Sequence, residues 1–191
     1  MKELSLYILD IVQNSITAGA KNIDLSITEF ENGMLRLKIT DDGCGMDEDT
    51  LSRVKNPFHT SRTTRKVGLG IPYLTMAAEQ TKGQVTIESR DQKLHPDNHG
   101  TEVTADFNSK HIDFPPMGDL IATIVLLIYT NSDIDFNFNH SLPIGIIKLD
   151  TKEMRQILED IPLDTPEVIQ WIKDYLTDQY QTLNQTERNY L

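Results

Sequence analysis

One cysteine, Cys44, in 191 residues excludes an intramolecular disulfide and a cysteine-rich metal site. Long apolar runs are also missing. The longest, Leu120 to Tyr129, is interrupted by Ala122 and Thr123 and falls far short of the ~20 residues that a membrane helix needs. Met1-Lys2-Glu3 leads straight into a helical pattern rather than a signal peptide, so a cytoplasmic protein with no membrane partner is expected. Positive charge is scarce, with a net charge of −11 that is unevenly spread. Residues 1–110 carry 13 basic and 16 acidic side chains, and residues 111–191 carry 5 and 13. So acidic a C-terminal part repels a phosphate backbone, and nucleic acid is not an expected partner.

At 38% hydrophobic and 25% charged, the chain can bury a real core. Residues 3 to 18 read as a helix, with Leu4, Ile8, Ile11, Val12 and Ile16 at helical spacing and Gly19 as terminator. Ile23, Leu25 and Ile27 alternate with polar residues, as do Leu35, Leu37 and Ile39, and Glu31-Asn32-Gly33 between them predicts a hairpin. A short helix is expected through Leu51 and Val54, and another from about Pro72 to Lys82, closed by Gly83. Gln84 to Ser89 and Thr101 to Phe107 alternate as two more strands. This order predicts an α/β sandwich, a sheet with helices on one face.

Pro115-Pro116 marks a boundary between a domain of residues 1–110 and an α+β extension of residues 111–191. The Leu120 to Tyr129 helix has too little polar surface to stand in water, so it must pack on the first domain or on a partner. Ile134, Phe136 and Phe138, then Ile146, Ile147 and Leu149, suggest a hairpin. Asp150 with Glu153 reads as a capping box, and Thr165-Pro166 starts a helix to about Tyr180 with a frayed tail from Thr182.

The chemistry concentrates between Asp41 and Gly70. A glycine turn opening a helix leaves backbone N–H groups and the positive helix end free for phosphate. Residues 51–78 hold Arg53, Lys55, Arg62, Arg65 and Lys66 and no acid, and His59 to Val67 read as a mobile loop. Asn14 sits mid-helix, where asparagine costs ~0.6 kcal/mol against alanine, and it shares a face with Asp10 four residues earlier.

Four segments in order carry a family resemblance: Leu9-Asp10-Ile11-Val12-Gln13-Asn14-Ser15, Asp41-x-Gly43-x-Gly45, Asn56-Pro57-Phe58 with Gly68-x-Gly70, and Gly100-Thr101. Together they resemble the sequence boxes of the GHKL ATPases, which include gyrase B subunits, heat-shock chaperones, histidine kinases and MutL proteins. The resemblance implies a two-layer α/β sandwich over residues 1–107 that binds ATP with Mg²⁺. It implies Asn14 as the metal ligand and Asp41 as acceptor from the adenine amine. Gly43 and Gly45 let the base approach, Met46 and Thr101 line its pocket, and Gly68, Leu69 and Gly70 donate to the phosphates under a lid. Met46 taken alone is more often just a core residue, and Asp42 is the alternative carboxylate.

The chain departs from the family pattern in three places. Lys66 replaces the usual first glycine before Gly68, and it either reaches the γ-phosphate or stays a solvated lid residue. Thr17 replaces a common basic residue, leaving phosphate charge to Arg62, Arg65 or Lys66. Asp10 stands where gyrase-type ATPases carry glutamate, and it reads either as the catalytic base or as an acid on the exposed helix face.

The lid run looks most like a histidine kinase, yet none of the five histidines lies on a helix followed by an acid. A phosphoacceptor is therefore expected on another protein. A stand-alone, kinase-type enzyme acting on a partner is the leading expectation. An ATPase conformational switch and a non-catalytic ATP sensor are the alternatives.

Overall fold

The computed structural model describes residues 2–55 and 70–189. Asn56-Pro57-Phe58, the lid with Arg62 and Lys66, and Gly68 and Leu69 lie outside the described residues.

The first helix, α1 (Leu4–Thr17), leads into β1 (Asn22–Glu29) and β2 (Met34–Asp41). The predicted hairpin joins these strands, and Gly33 takes the left-handed φ of 85° that the turn requires. Next come α2 (Glu48–Lys55), α3 (Gly70–Gln80), β3 (Gln84–Arg90) and β4 (Gly100–Asn108). Helix α3 begins two residues before Pro72, because the first turn needs no intrahelical N–H partner and therefore tolerates proline. Its end is made by Lys82, at φ 62°, rather than by Gly83. Gly83 has another reason to be glycine, since a Cβ there would overlap the carbonyl oxygen of Asp106.

The remaining elements are α4 (Leu120–Thr130), β5 (Asp135–Leu142), β6 (Gly145–Asp150), α5 (Thr151–Leu158) and α6 (Pro166–Asn189). Asp119 caps α4 by accepting from Ala122 N, and Asp150 caps α5 by accepting from Lys152 N and Glu153 N. Helix α6 continues nine residues beyond the expected stop at Tyr180. Leu183 explains part of that length, because it packs where a Cβ on Gly145 would come within 2.6 Å of it.

All six strands form one sheet in the order β3-β4-β2-β1-β5-β6. Strand β5 runs parallel to β1, with Leu25 opposite Phe138 and Ile27 opposite His140. One face is apolar over most of its area, with Asp41 and His140 as its buried polar residues. Ile23, Leu25, Ile27, Leu37, Ile39, Val103, Phe107, Phe138 and Leu149 are buried there against Leu4, Ile8 and Val12 of α1, Leu74 of α3, Ile124 and Ile128 of α4, and Ile172 and Leu176 of α6. The extension therefore shares the core, and the apolar α4 is covered by it. The opposite face carries cross-strand pairs, Arg36 with Asp106 at 2.7 Å and Lys38 with Glu102 at 2.8 Å. No helix among the described residues is long and apolar enough to cross a membrane.

Candidate nucleotide cleft

Strand β2 ends at Asp41 in the buried phase of its alternation, so the carboxylate points to the helix side at the sheet margin and is only 9% exposed. Ser15 Oγ of α1 donates to Asp41 Oδ2 at 2.6 Å, and Gly43 N donates to Asp41 Oδ1 at 2.9 Å. Each carboxylate oxygen has about two acceptor sites, so one lone pair on each remains for a donor. Asp42 plays another part. Its Oδ1 accepts from Lys21 N at 2.7 Å and Asn22 N at 2.9 Å, and its Oδ2 from Asn22 Nδ2 at 2.6 Å. Burial pushes the Asp42 carboxyl up, but the hydrogen bonds from Asn22 and Lys21 outweigh it and hold the group below the usual range. Of the two acids, Asp42 anchors the start of β1 and Asp41 faces the cleft.

The glycine turn that follows is pinned from several sides. Cys44 N donates to Ala18 O at 2.9 Å, and Gln92 N donates to Cys44 O at 3.0 Å. His99 Nδ1 lies 2.7 Å from Gly43 O, so that ring nitrogen carries the proton. Gly45 has φ 67°, and a Cβ there would overlap the carbonyl oxygen of Arg90. Ser89 accepts from Met46 N at 2.8 Å, donates to Gly100 O at 3.1 Å and lies 2.9 Å from Thr101 Oγ1. One serine thus ties the turn to the start of β4, where Thr101 stands opposite Asp41.

These supports leave a cleft of about 180 Å³, lined by Asn14, Ser15, Ala18, Asp41, Gly45, Met46 and Thr101 with Ile11, Val54, Ile71 and Val103. Its apolar walls suit an aromatic base, and its polar groups lie at the margins. Asn14 is exposed, and its amide makes no side-chain hydrogen bond among the described residues. Asp10 sits one helical turn before it and meets the first residue of α3. A Cβ on Gly70 would lie 2.8 Å from Asp10 Cβ and 3.5 Å from its Oδ2. The Asp10 carboxylate is ion-paired with Lys2.

The structure therefore brings Asn14, Asp41, Gly45, Met46 and Thr101 around one cleft, with Gly43 hydrogen-bonded to Asp41, while Asp10 and Gly70 lie against each other next in sequence to the lining residues Ile11 and Ile71. Ser15, Ser89 and His99 were not found from sequence. Ser15 follows Asn14 directly, but its partner is 26 residues away, and no local pattern signals such a bond.

Comparison with known proteins places residues 2–111 in a match to the model of the histidine kinase-, DNA gyrase B-, and HSP90-like ATPases. The chain is 29% identical to sporulation kinase E of Bacillus subtilis over 93 residues, covering 48% of this chain and 12% of that protein. It is 54% identical to the DNA mismatch repair protein MutL of Caldanaerobacter subterraneus over 39 residues, covering 20% of this chain and 6% of that one. The chain thus spans about an eighth or less of either relative. Among solved structures, the MutL ATPase domain of Aquifex aeolicus complexed with ADP has a similar fold, with a TM-score of 0.53 at 13% identity over 83% of this chain and 70% of that one.

Proposed function

The chain belongs to the histidine kinase-, DNA gyrase B-, and HSP90-like ATPase family, and from that premise we propose that its cleft binds Mg-ATP and that the protein passes phosphate to a partner protein as a kinase-type regulator. The observation that carries this reading is the convergence of Asn14, Asp41, Met46 and Thr101, from three separate segments, on one cleft with apolar walls. Asp41 accepts from the adenine amine through its free lone pairs, while Ser15 and Gly43 hold its plane. Gly45 brings the backbone close to the base. The donor set fits Mg²⁺: Asn14 offers an unengaged amide oxygen, and among the described residues no three His, Cys, Asp or Glu side chains converge on a metal. A hard ion here takes one protein oxygen and completes its shell with phosphate and water. When bound, it neutralises charge on the phosphate oxygens.

Asp10 is then the base. It accepts the proton of the attacking hydroxyl or water as the bond from the γ-phosphorus to the bridging oxygen breaks and ADP leaves with the electron pair. A second reading, an ATPase conformational switch, has its own support. Asp42 in the cleft turn holds Asn22, the first residue of β1, and Asn22 lies opposite Asp135 of β5, so the cleft and the extension share one sheet.

Titration calorimetry with Mg-ATP tests the binding claim. Asp41→Asn should lower affinity by roughly 10- to 100-fold, the worth of a hydrogen bond to a charged group, without unfolding the chain. Equal affinity in variant and wild type overturns the assignment. Incubation with γ-labelled ATP and candidate partners then separates the readings. Label on protein supports the kinase, free phosphate the switch, and tight binding with neither a sensor.

A further inference from the structure

We propose that Lys2 is a ligand of the terminal phosphate, held in place by Asp10 at the rim of the cleft. This rests on the reading that the cleft takes Mg-ATP. Lys2 precedes α1, and its ammonium pairs with Asp10 Oδ2 and lies 5.1 Å from the centre of the Tyr7 ring. Its side chain is 33% exposed and that of Asp10 42%, so the pair is open to solvent and to a ligand. Exposed ion pairs of this kind contribute little to stability and cost side-chain entropy to order, so stability alone does not account for it.

Location accounts for it better. Asp10 abuts Gly70, and the next residue on each helix, Ile11 and Ile71, lines the cleft. The ammonium therefore sits where α1 meets the start of α3 at Gly70, and the positive dipole end of that helix favours an anion. Asn14, one turn further along α1, is the residue that fits the metal. A triphosphate extending from the base pocket toward α3 brings its terminal group to Asp10, and two anions there repel one another unless a cation stands between them. Lys2 is already at that carboxylate. An ammonium has three donors, and Asp10 occupies one, so two remain for phosphate oxygens. No lysine was expected here from sequence, because eight residues separate Lys2 from Asp10 and the pairing requires the chain to fold back along the start of α1.

A bridge from Asp10 through Lys2 to the γ-phosphate distinguishes ATP from ADP. The test is calorimetric: dissociation constants of Mg-ATP and Mg-ADP are measured for the full chain as wild type, Lys2→Met and Lys2→Arg. Wild type should prefer ATP. Lys2→Met should cut that preference by roughly 10-fold or more, as loss of a charge-assisted hydrogen bond does, and leave ADP affinity unchanged. Lys2→Arg should restore most of the preference. An unchanged preference in Lys2→Met overturns the inference, as does equal weakening for both nucleotides, or a wild type that binds ATP and ADP alike. If Asp41→Asn still weakens ATP binding in those cases, the cleft assignment stands and the role of Lys2 alone falls. Absence of any nucleotide binding by wild type removes both.

Discussion

The two ends of β1 hold polar side chains in opposite ways. At the cleft end, Asp41 accepts two hydrogen bonds and lines the cleft with acceptor capacity to spare, and the Asn14 amide has no side-chain partner among the described residues. At the far end, His140 is 3% exposed and has both ring nitrogens engaged. Its Nε2 lies 3.0 Å from Glu29 Oε1, and its Nδ1 lies 2.8 Å from Tyr180 Oη. The His140 and Tyr180 rings also meet edge-on at 5.8 Å. Buried polar groups must be paired, so a fully satisfied one signals a structural joint. Unspent hydrogen-bonding capacity beside a cavity signals a ligand. The far end joins β1, β5 and α6, and the near end opens onto the cleft.

The largest expected effect would break the contrast at the cleft. Asp10→Asn keeps the shape of the side chain and removes its basic oxygen, so turnover should fall by roughly 10²- to 10⁴-fold. Mg-ADP affinity should change little, because the adenine contacts lie elsewhere and no γ-phosphate is present to feel the loosened Lys2. Steady-state kinetics beside calorimetry decides the matter. Wild-type turnover in Asp10→Asn would leave this carboxylate as a partner of Lys2 with no part in chemistry.

What was legible in the sequence was local. Alternation in Ile23, Leu25, Ile27 and in Leu35, Leu37, Ile39, with Asn32-Gly33 between them, announces the hairpin because both the pleat and the turn are nearest-neighbour effects. Spacing of Asp10 and Asn14 places both on one face of α1 for the same reason. The apolar run of α4 correctly demanded cover. Its cover could not be read, because the parallel pairing of β1 with β5 joins residues more than a hundred positions apart and no local pattern encodes it. The polar supports of the cleft share that difficulty. Ser15 to Asp41, Ser89 to Met46 and His99 to Gly43 are all contacts between segments, made only once the sheet exists.

A smaller effect sharpens the comparison at the far end. His140→Phe preserves the ring's bulk but leaves the Tyr180 hydroxyl without its partner. Stability should fall by about 1–3 kcal/mol, a drop in melting temperature of roughly 2–12 °C for a chain of this size. Nucleotide affinity should not move. A matching loss of ATP binding would mean that the two ends are energetically one unit and would favour the switch over the kinase.

The smallest effect is expected from Tyr180→Phe, which removes one hydroxyl and costs about 1 kcal/mol at neutral pH. Its value lies in its pH dependence. Burial, and then the neighbouring Glu29 carboxylate, push the Tyr180 phenol above its ordinary value of 10.0. The folded protein therefore keeps this proton at a pH where the unfolded chain has released it. Stability contributed by the tyrosine is fully present below about pH 10 and declines as pH rises beyond it, because the unfolded state then binds fewer protons than the folded one. Tyr7 is also shifted upward, by burial before the opposing charge of Lys2, but it is common to both proteins and cancels in their difference. Denaturant titrations at pH 8 and at about pH 10.5 should accordingly show the advantage of wild type over Tyr180→Phe shrinking at the higher pH. An advantage that stays constant across that interval would mean that the phenol is solvated, and the far end of β1 would then be no more sealed than the cleft.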